Sequence, residues 1–140
     1  MVRSTSSHSI APASVLRGDG AWDEALPSIK SLCSRPLVLG RSASTANQRQ
    51  LLVSDLKAHG LNPLQAQLHF DCCELDLQRV AAEARCCDAV LAAGGGKVLD
   101  AGKLLAHRLS LPCITVPLSA STCAGWTALS NIYSPQGAFE

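Results

Sequence analysis

The sequence predicts an α/β domain in which helices cover a mostly parallel sheet. Short apolar runs, typical of buried strands, alternate with longer amphipathic segments, typical of helices. This alternation indicates strand–helix–strand units, whose strands run parallel because each helix returns the chain to the edge from which it started. A chain of 140 residues with 47% apolar residues has enough material for one such domain with its own core.

The first half of the chain contains two predicted helices and two predicted strands. A helix at Ala21–Leu32 ends before Arg35-Pro36, and the apolar run that follows predicts a buried strand over residues 37–40. A polar turn then leads into a helix over residues 46–59, for which Gly60 is the natural stop. Residues 64–70 alternate between apolar and polar side chains, which predicts a half-buried strand.

The second half repeats the same alternation. A helix starting between Asp71 and Glu74 has one apolar face, made of Leu77, Val80, Ala81 and Ala84. The predicted elements that follow are a strand over residues 88–93, a helix over 97–109, a strand over 112–117 and a polar loop over 119–127. Residues 129–133 fit a helix and a strand equally well.

Composition narrows the classes of function and of partner. With 12 basic and 11 acidic residues the net charge is +1, so nucleic acid and anionic membranes are not expected as partners. No apolar run approaches the roughly 20 residues of a membrane span. The charged fraction of 16% lies below the usual value of about 25%, which indicates that another domain or subunit covers part of the surface.

Seven cysteines indicate a reducing compartment. Their number is odd, and their spacing matches neither a disulfide framework nor a structural zinc site. We therefore interpret them as small buried apolar side chains of a cytoplasmic protein. The serine-rich residues 1–9 predict a short flexible tail, so that the domain comprises residues 10–140.

Three loops follow predicted strands at the carboxyl edge of the sheet, where open α/β sheets bind ligands. They cover residues 40–45, 94–97 and 118–127. In the second loop, Gly94-Gly95-Gly96 precedes a predicted helix, and Lys97 adds a positive charge. Glycines let a phosphate approach the backbone closely, and the free amides of a helix N-terminus bind anions. A tight turn without a ligand explains the same glycines, because neither dinucleotide nor P-loop fingerprints are complete.

Other candidate polar groups have simpler explanations. Asp100 and Lys103 stand three residues apart on the predicted helix, where they form an ion pair or face a ligand from its first turns. The hydroxyl side chains of residues 119–122 suit both ligand binding and ordinary turns. Cys123 has no basic neighbour in sequence and is interpreted as inert.

Two longer motifs resemble a known family. They are GGGKVLDAGK at residues 94–103 and STCAGWTALSNIY at residues 121–133. Together they resemble the N-terminal nucleotide-binding domain of glycerol dehydrogenases, within the metal-dependent, iron-containing alcohol dehydrogenase family. The resemblance extends upstream to about Ile10 and covers about nine-tenths of the chain.

The resemblance implies a fold, a reaction and a set of binding residues. Family enzymes combine a Rossmann-like NAD-binding domain with a helical domain that carries a catalytic zinc or iron ion, and they transfer a hydride from an alcohol or polyol to the nicotinamide. Gly95, Gly96 and Lys97 match the pyrophosphate loop, and Ser121 matches a loop residue near the cofactor. The family's contacts on the nicotinamide side correspond to Thr127, Leu129 and Tyr133.

Three positions depart from the family pattern. Arg41 stands where the family commonly has an Asp that binds the adenine ribose, which predicts weaker NAD binding or a shift towards NADP. Cys123 replaces an Asp near the polyol of glycerol dehydrogenases, so glycerol is not assigned as the substrate. Leu118 replaces the family's threonine after the proline of this loop.

The sequence lacks the family's metal ligands, an Asp and two histidines, which belong to the second domain. We therefore expect this region to be the nucleotide-binding part of a truncated dehydrogenase, with its last strands absent and no turnover in isolation. Family enzymes are often homo-oligomers, so self-association is also expected. Two alternatives are a non-catalytic nucleotide-binding or assembly module derived from the family, and a sugar-cyclising enzyme of the dehydroquinate synthase type. ALSNIY, at residues 128–133, favours the dehydrogenase branch over the cyclising enzymes.

Overall fold

The structure is a computed structural model that describes residues 12–120 and 123–139. The predicted tail, residues 1–9, and the predicted site residue Ser121 lie outside the described residues. Helices and strands alternate in the order α1 (Ala21–Leu32), β1 (Pro36–Gly40), α2 (Ala46–Ala58), β2 (Leu64–Gln67), α3 (Glu74–Glu83), β3 (Ala89–Gly94), α4 (Gly96–Leu109) and β4 (Cys113–Pro117).

The four strands form one parallel sheet in the order β2-β1-β3-β4, which confirms the predicted α/β class. The central strands β1 and β3 are buried throughout. From β1 the chain crosses outward to β2, whereas from β3 it crosses in the opposite direction to β4. The direction of winding therefore changes between the carboxyl ends of β1 and β3, which is where open α/β sheets form ligand clefts.

Helices cover both faces of the sheet, so that the core has two layers. One layer packs α1 and α2 on side chains such as Val38 and Leu91, and the other packs α3 and α4 on side chains such as Leu37 and Val90. In the second layer α4 lies very close to β3. A Cβ atom at Gly102 would come within 2.3 Å of the Ala92 Cβ, so glycine permits this close packing.

Two sequence predictions about local structure are wrong. The second strand ends at Gln67 instead of residue 70, and three of its four residues are exposed, because β2 is an edge strand. Residues 129–133 form neither a helix nor a strand. Their polar groups bond to α4 and to the loop after β2 instead: the Ser130 hydroxyl donates to the Asp100 carbonyl, and the Tyr133 amide donates to the Cys72 carbonyl.

The cysteines agree only partly with their interpretation as buried apolar side chains. All seven are unpaired, and Cys33, Cys72, Cys73 and Cys87 are buried, whereas the other three are exposed. Burial raises the pKa of the Cys33 thiol to about 11 and that of Cys72 to about 12. These two thiols therefore stay protonated at neutral pH and act as apolar side chains.

Candidate functional site

A cleft of about 610 Å³ opens at the carboxyl edge of the sheet, at the change of winding direction. The loops that follow β1 and β3 form its two sides. Residues beyond β4 complete it. The lining residues are Arg41, Ser42, Ser44, Thr45, Gly94, Gly95, Gly96, Lys97, Val98, Asp100, Ser119, Asn131 and Tyr133.

The glycine loop joins β3 directly to the first turn of α4. Gly94 ends the strand and α4 begins at Gly96, with Gly95 between them. A Cβ at Gly94 would lie 2.9 Å from the Val98 Cβ, so glycine there permits the close strand–helix turn. Gly95 contributes no side-chain cap to α4, and the first turn of the helix contains no acidic residue. The helix dipole and the backbone amides of this first turn therefore favour an anion at this end of the cleft.

Arg49, a buried residue of α2, holds the loop after β1 in place. Its guanidinium donates to the Ser42 carbonyl at 2.8 Å and to the Thr45 hydroxyl. The guanidinium packs so closely on Gly40 that a Cβ atom at that position would overlap it. From β2, the side-chain amide of Gln67 donates through Nε2 to the Arg41 carbonyl at 2.8 Å. These bonds fix the backbone of residues 41–45 beside the glycine loop.

Arg41 and Lys97 belong to the two loops that form the sides of the cleft, and both contact the same carboxylate. Lys97 Nζ lies 2.7 Å from Asp71 Oδ2, and the Arg41 guanidinium contacts Asp71 Oδ1. Hydrogen bonds from Lys97 and Arg41 hold the pKa of the Asp71 carboxyl below its ordinary value, with Lys97 contributing most. Asp71 is therefore an ionised partner of both cations at neutral pH. The ammonium of Lys97 also lies 4.9 Å from the centre of the Tyr133 ring.

The segment beyond β4 is fastened to α4 by the Asp100–Lys103 pair. The two side chains lie 3.2 Å apart, as their spacing on the helix predicts. Lys103 Nζ also lies 3.0 Å from the Thr127 carbonyl and contacts the Leu129 carbonyl. Asp100 also accepts from the Asn131 backbone amide at 3.3 Å and lines the cleft, so the ion pair considered from sequence is present, while a contact with a ligand stays a prediction.

The structure brings five of the eight predicted site residues together: Arg41, Gly95, Gly96, Lys97 and Tyr133 all line the cleft. Thr127 and Leu129 do not line it; their carbonyls bind Lys103 further along α4, and the Leu129 side chain is 78% exposed. Ser121 falls outside the described residues.

Sequence reasoning missed Asp71, which was interpreted only as the start of a helix. The available signal was its place in the loop after β2, a fourth loop at the carboxyl edge of the sheet. Chain order alone placed it 26 residues from Lys97 and 30 from Arg41. Only the strand order shows that these loops are neighbours.

The described residues contain neither a metal-binding cluster nor a membrane-spanning helix. Within residues 12–120 and 123–139, no group of three or more His, Cys, Asp or Glu side chains is arranged to hold a metal ion. In the same part of the chain, no helix is long and apolar enough to cross a membrane.

The parallel sheet, its switch point and the glycine loop define an open α/β domain with a cleft at the carboxyl edge of the sheet. Residues 12–139 match the iron-containing alcohol dehydrogenase family, and the chain belongs to that family. The family resemblance seen in the sequence is thereby confirmed.

Two curated relatives show the extent of the match. An uncharacterized oxidoreductase of Synechocystis sp. is 43% identical over 138 residues, which cover 96% of this chain and 35% of the relative. A glycerol dehydrogenase of Escherichia coli is 33% identical over 132 residues, covering 93% of this chain and 36% of that enzyme. The chain therefore spans about a third of the length of these relatives.

Solved structures share the fold. A glycerol dehydrogenase from Schizosaccharomyces pombe superposes with a TM-score of 0.74 at 24% identity, over 86% of this chain and 31% of that chain. A probable glycerol dehydrogenase from Sinorhizobium meliloti gives a TM-score of 0.69 at 26% identity, over 86% of this chain and 33% of the other. The Rossmann-like architecture predicted from the family resemblance is thus confirmed, and the chain is an oxidoreductase family member.

Proposed function

We propose that this chain is the NAD(P)-binding region of a dehydrogenase that oxidises a small alcohol or polyol. The observation that carries the proposal is the convergence of the Arg41 loop and the glycine loop on one cleft. A dinucleotide needs an anion site for its pyrophosphate and a second, polar site for its adenine ribose. The two loops supply these sites on neighbouring strands.

The residues of the cleft suit particular parts of the cofactor. The backbone amides at Gly95 and Gly96, at the N-terminus of α4, and the charge of Lys97 would bind the pyrophosphate. Arg41, with the serine hydroxyls of its loop, would contact the adenosine ribose. Tyr133 lines the cleft beside Lys97, with its ring centre 4.9 Å from the ammonium, and would contact the nicotinamide side of the cofactor, as the family resemblance implies. When bound, the nicotinamide supplies the chemistry by accepting a hydride from the alcohol carbon.

Arg41 suggests which dinucleotide the site prefers. A carboxylate at this position would repel a 2′-phosphate, whereas a guanidinium binds one through charge-assisted hydrogen bonds. We propose that Arg41 shifts the binding preference of the chain towards NADP. Similar dissociation constants for both nucleotides in the wild type and in Arg41→Ala would refute this preference.

The remaining parts of the reaction are proposals about the whole enzyme. Its relatives include proteins named glycerol dehydrogenase, and the family resemblance implies a zinc or iron ion in a second, helical domain. We propose that the 140-residue chain alone binds nucleotide but oxidises no alcohol, that it acts in the cytoplasm and that the enzyme forms homo-oligomers. Metal-dependent alcohol oxidation by the purified chain would contradict the proposal that the chain alone oxidises no alcohol.

Calorimetric titration of NAD and NADP into the purified chain tests the proposed function. Binding in the micromolar to millimolar range, about −8 to −4 kcal/mol, is expected. A folded chain that binds neither nucleotide would contradict the proposal. That result would favour the alternative of an assembly module derived from the family.

A further inference from the structure

The loop after β2 places an anion, the Asp71 carboxylate, beside two basic residues of the cleft. The Asp71 carboxylate accepts from Lys97 through Oδ2 at 2.7 Å and from Arg41 through Oδ1. Among the residues that the structure describes, no other carboxylate is shared by two basic side chains. Asp71 thus links the two cations that the cleft offers to a nucleotide.

The geometry of this cluster resembles that of a bound phosphate. Two oxygen atoms of one anion lie between two cationic groups, one from each of the loops that form the sides of the cleft. A carboxylate and a phosphate both accept charge-assisted hydrogen bonds from arginine and lysine, so they compete for the same donors. Asp71 itself is not among the residues that line the cleft.

The carboxylate and its two basic partners differ in side-chain length and exposure, and this difference favours a change of partner by the basic side chains. The Asp71 side chain is short and only 15% exposed, whereas Arg41 and Lys97 are 38% and 50% exposed. Long, exposed basic side chains change partner at small cost, because exposed ion pairs are weak and screened by water. This difference would let the cations turn towards the cleft while the carboxylate stays in place.

From this arrangement we propose that Asp71 is a specificity-determining residue that competes with the nucleotide phosphates for Arg41 and Lys97. The proposal rests on the proposed nucleotide-binding function. In the free protein Asp71 neutralises the cation that would bind a 2′-phosphate, and it thereby lowers the preference for NADP. It also withdraws Lys97 from the pyrophosphate site, which lowers the affinity for both nucleotides.

The test compares Asp71→Asn with a matched control, Glu74→Gln. Both substitutions remove one negative charge, but Glu74 is an exposed residue paired at 2.7 Å with Arg108, at the opposite end of α4 from Lys97. NAD and NADP are titrated calorimetrically into the wild type and both variants at low ionic strength. We expect Asp71→Asn to bind NADP about tenfold more tightly, with a smaller gain for NAD and no change for Glu74→Gln.

Other results would overturn the proposal. If Asp71→Asn binds both nucleotides as the wild type does, Asp71 does not compete with them. If it binds them more weakly, Asp71 is a platform that positions the cations for the ligand. A wild type that binds neither nucleotide would instead refute the proposed function on which this inference rests.

A measurement on the wild type covers the case of a variant that fails to fold. Carbon NMR follows the titration of the Asp71 carboxyl group in the free protein and with saturating NADP. Because Lys97 and Arg41 hold the pKa of Asp71 down in the free protein, their transfer to the nucleotide is expected to return that pKa towards its ordinary value. An unchanged pKa in the saturated protein would contradict the exchange of partners.

Discussion

Replacing Gly95 by alanine separates binding from stability at the glycine loop. Gly95 has φ −83° and ψ −175°, an extended conformation that alanine adopts without strain. The added Cβ would lie 3.3 Å from the Ser119 Oγ, a tight contact that a small shift relieves. Both residues line the cleft, so the new methyl group would stand where the proposed pyrophosphate approaches the backbone.

The size of the effect follows from the bonds that this methyl group blocks. A hydrogen bond from a backbone amide to a charged phosphate is worth about 1.5–3 kcal/mol, so the loss of one weakens binding by about 10- to 150-fold. Stability changes much less. The reduced freedom of the unfolded chain adds about 0.4–1 kcal/mol, which the tight contact with Ser119 offsets in part.

The assay combines calorimetric titration of NAD and NADP with urea denaturation, and Gly94→Ala serves as the control. At Gly94 a Cβ would lie 2.9 Å from the Val98 Cβ, so this substitution is expected to reduce the free energy of unfolding by about 1–3 kcal/mol. Gly95→Ala is expected to keep the wild-type stability and to bind both nucleotides about 10- to 150-fold more weakly. Wild-type affinity in a folded Gly95→Ala protein would refute the assigned role of the loop.

Three further predictions concern the cofactor, the core and the pH dependence. Arg41→Ala is expected to weaken the binding of NADP about tenfold and to change the binding of NAD little. Equal losses of affinity for both nucleotides in titrations would contradict this. Gly102→Ala is expected to lower the free energy of unfolding, measured by urea denaturation, by about 1–3 kcal/mol, although alanine has the better helix propensity. The reason is that the added Cβ would lie 2.3 Å from the Ala92 Cβ, and an unchanged free energy of unfolding would contradict the close packing of α4. The lowered pKa of Asp71 gives stability that is complete above the ordinary carboxyl pKa and is lost as the pH falls through the lowered value. Denaturation at a series of acidic pH values is expected to show this step in the wild type and a smaller one in Asp71→Asn.

Local sequence patterns were sufficient to predict the two strands at the centre of the sheet, β1 and β3. β1 and β3 are buried on both faces, so their apolar runs are continuous and easy to identify. β2 was predicted too long because the neighbouring Leu68, which is 2% exposed, extends the apolar pattern beyond the last sheet residue. A buried loop residue and a strand residue look alike in a single sequence.

The candidate site was predictable only where it depends on a local turn. Gly95, Gly96 and Lys97 are adjacent in sequence, and their position between a strand and a helix is itself the signal. The link between Arg41 and Lys97 depends on strand order and on Asp71, neither of which periodicity indicates. The same holds for Thr127 and Leu129, whose carbonyls are held by Lys103 through contacts between residues more than 20 positions apart.

An NMR titration of the 140-residue chain with NAD and NADP would show whether one cleft, formed by the loops after β1 and β3, binds the dinucleotide. We expect the backbone amide resonances of residues 41–45 and 94–98 to shift together as either nucleotide is added, with one dissociation constant for both loops. Shifts confined to one loop, shifts elsewhere in the described residues, or none at all in the folded protein would contradict it.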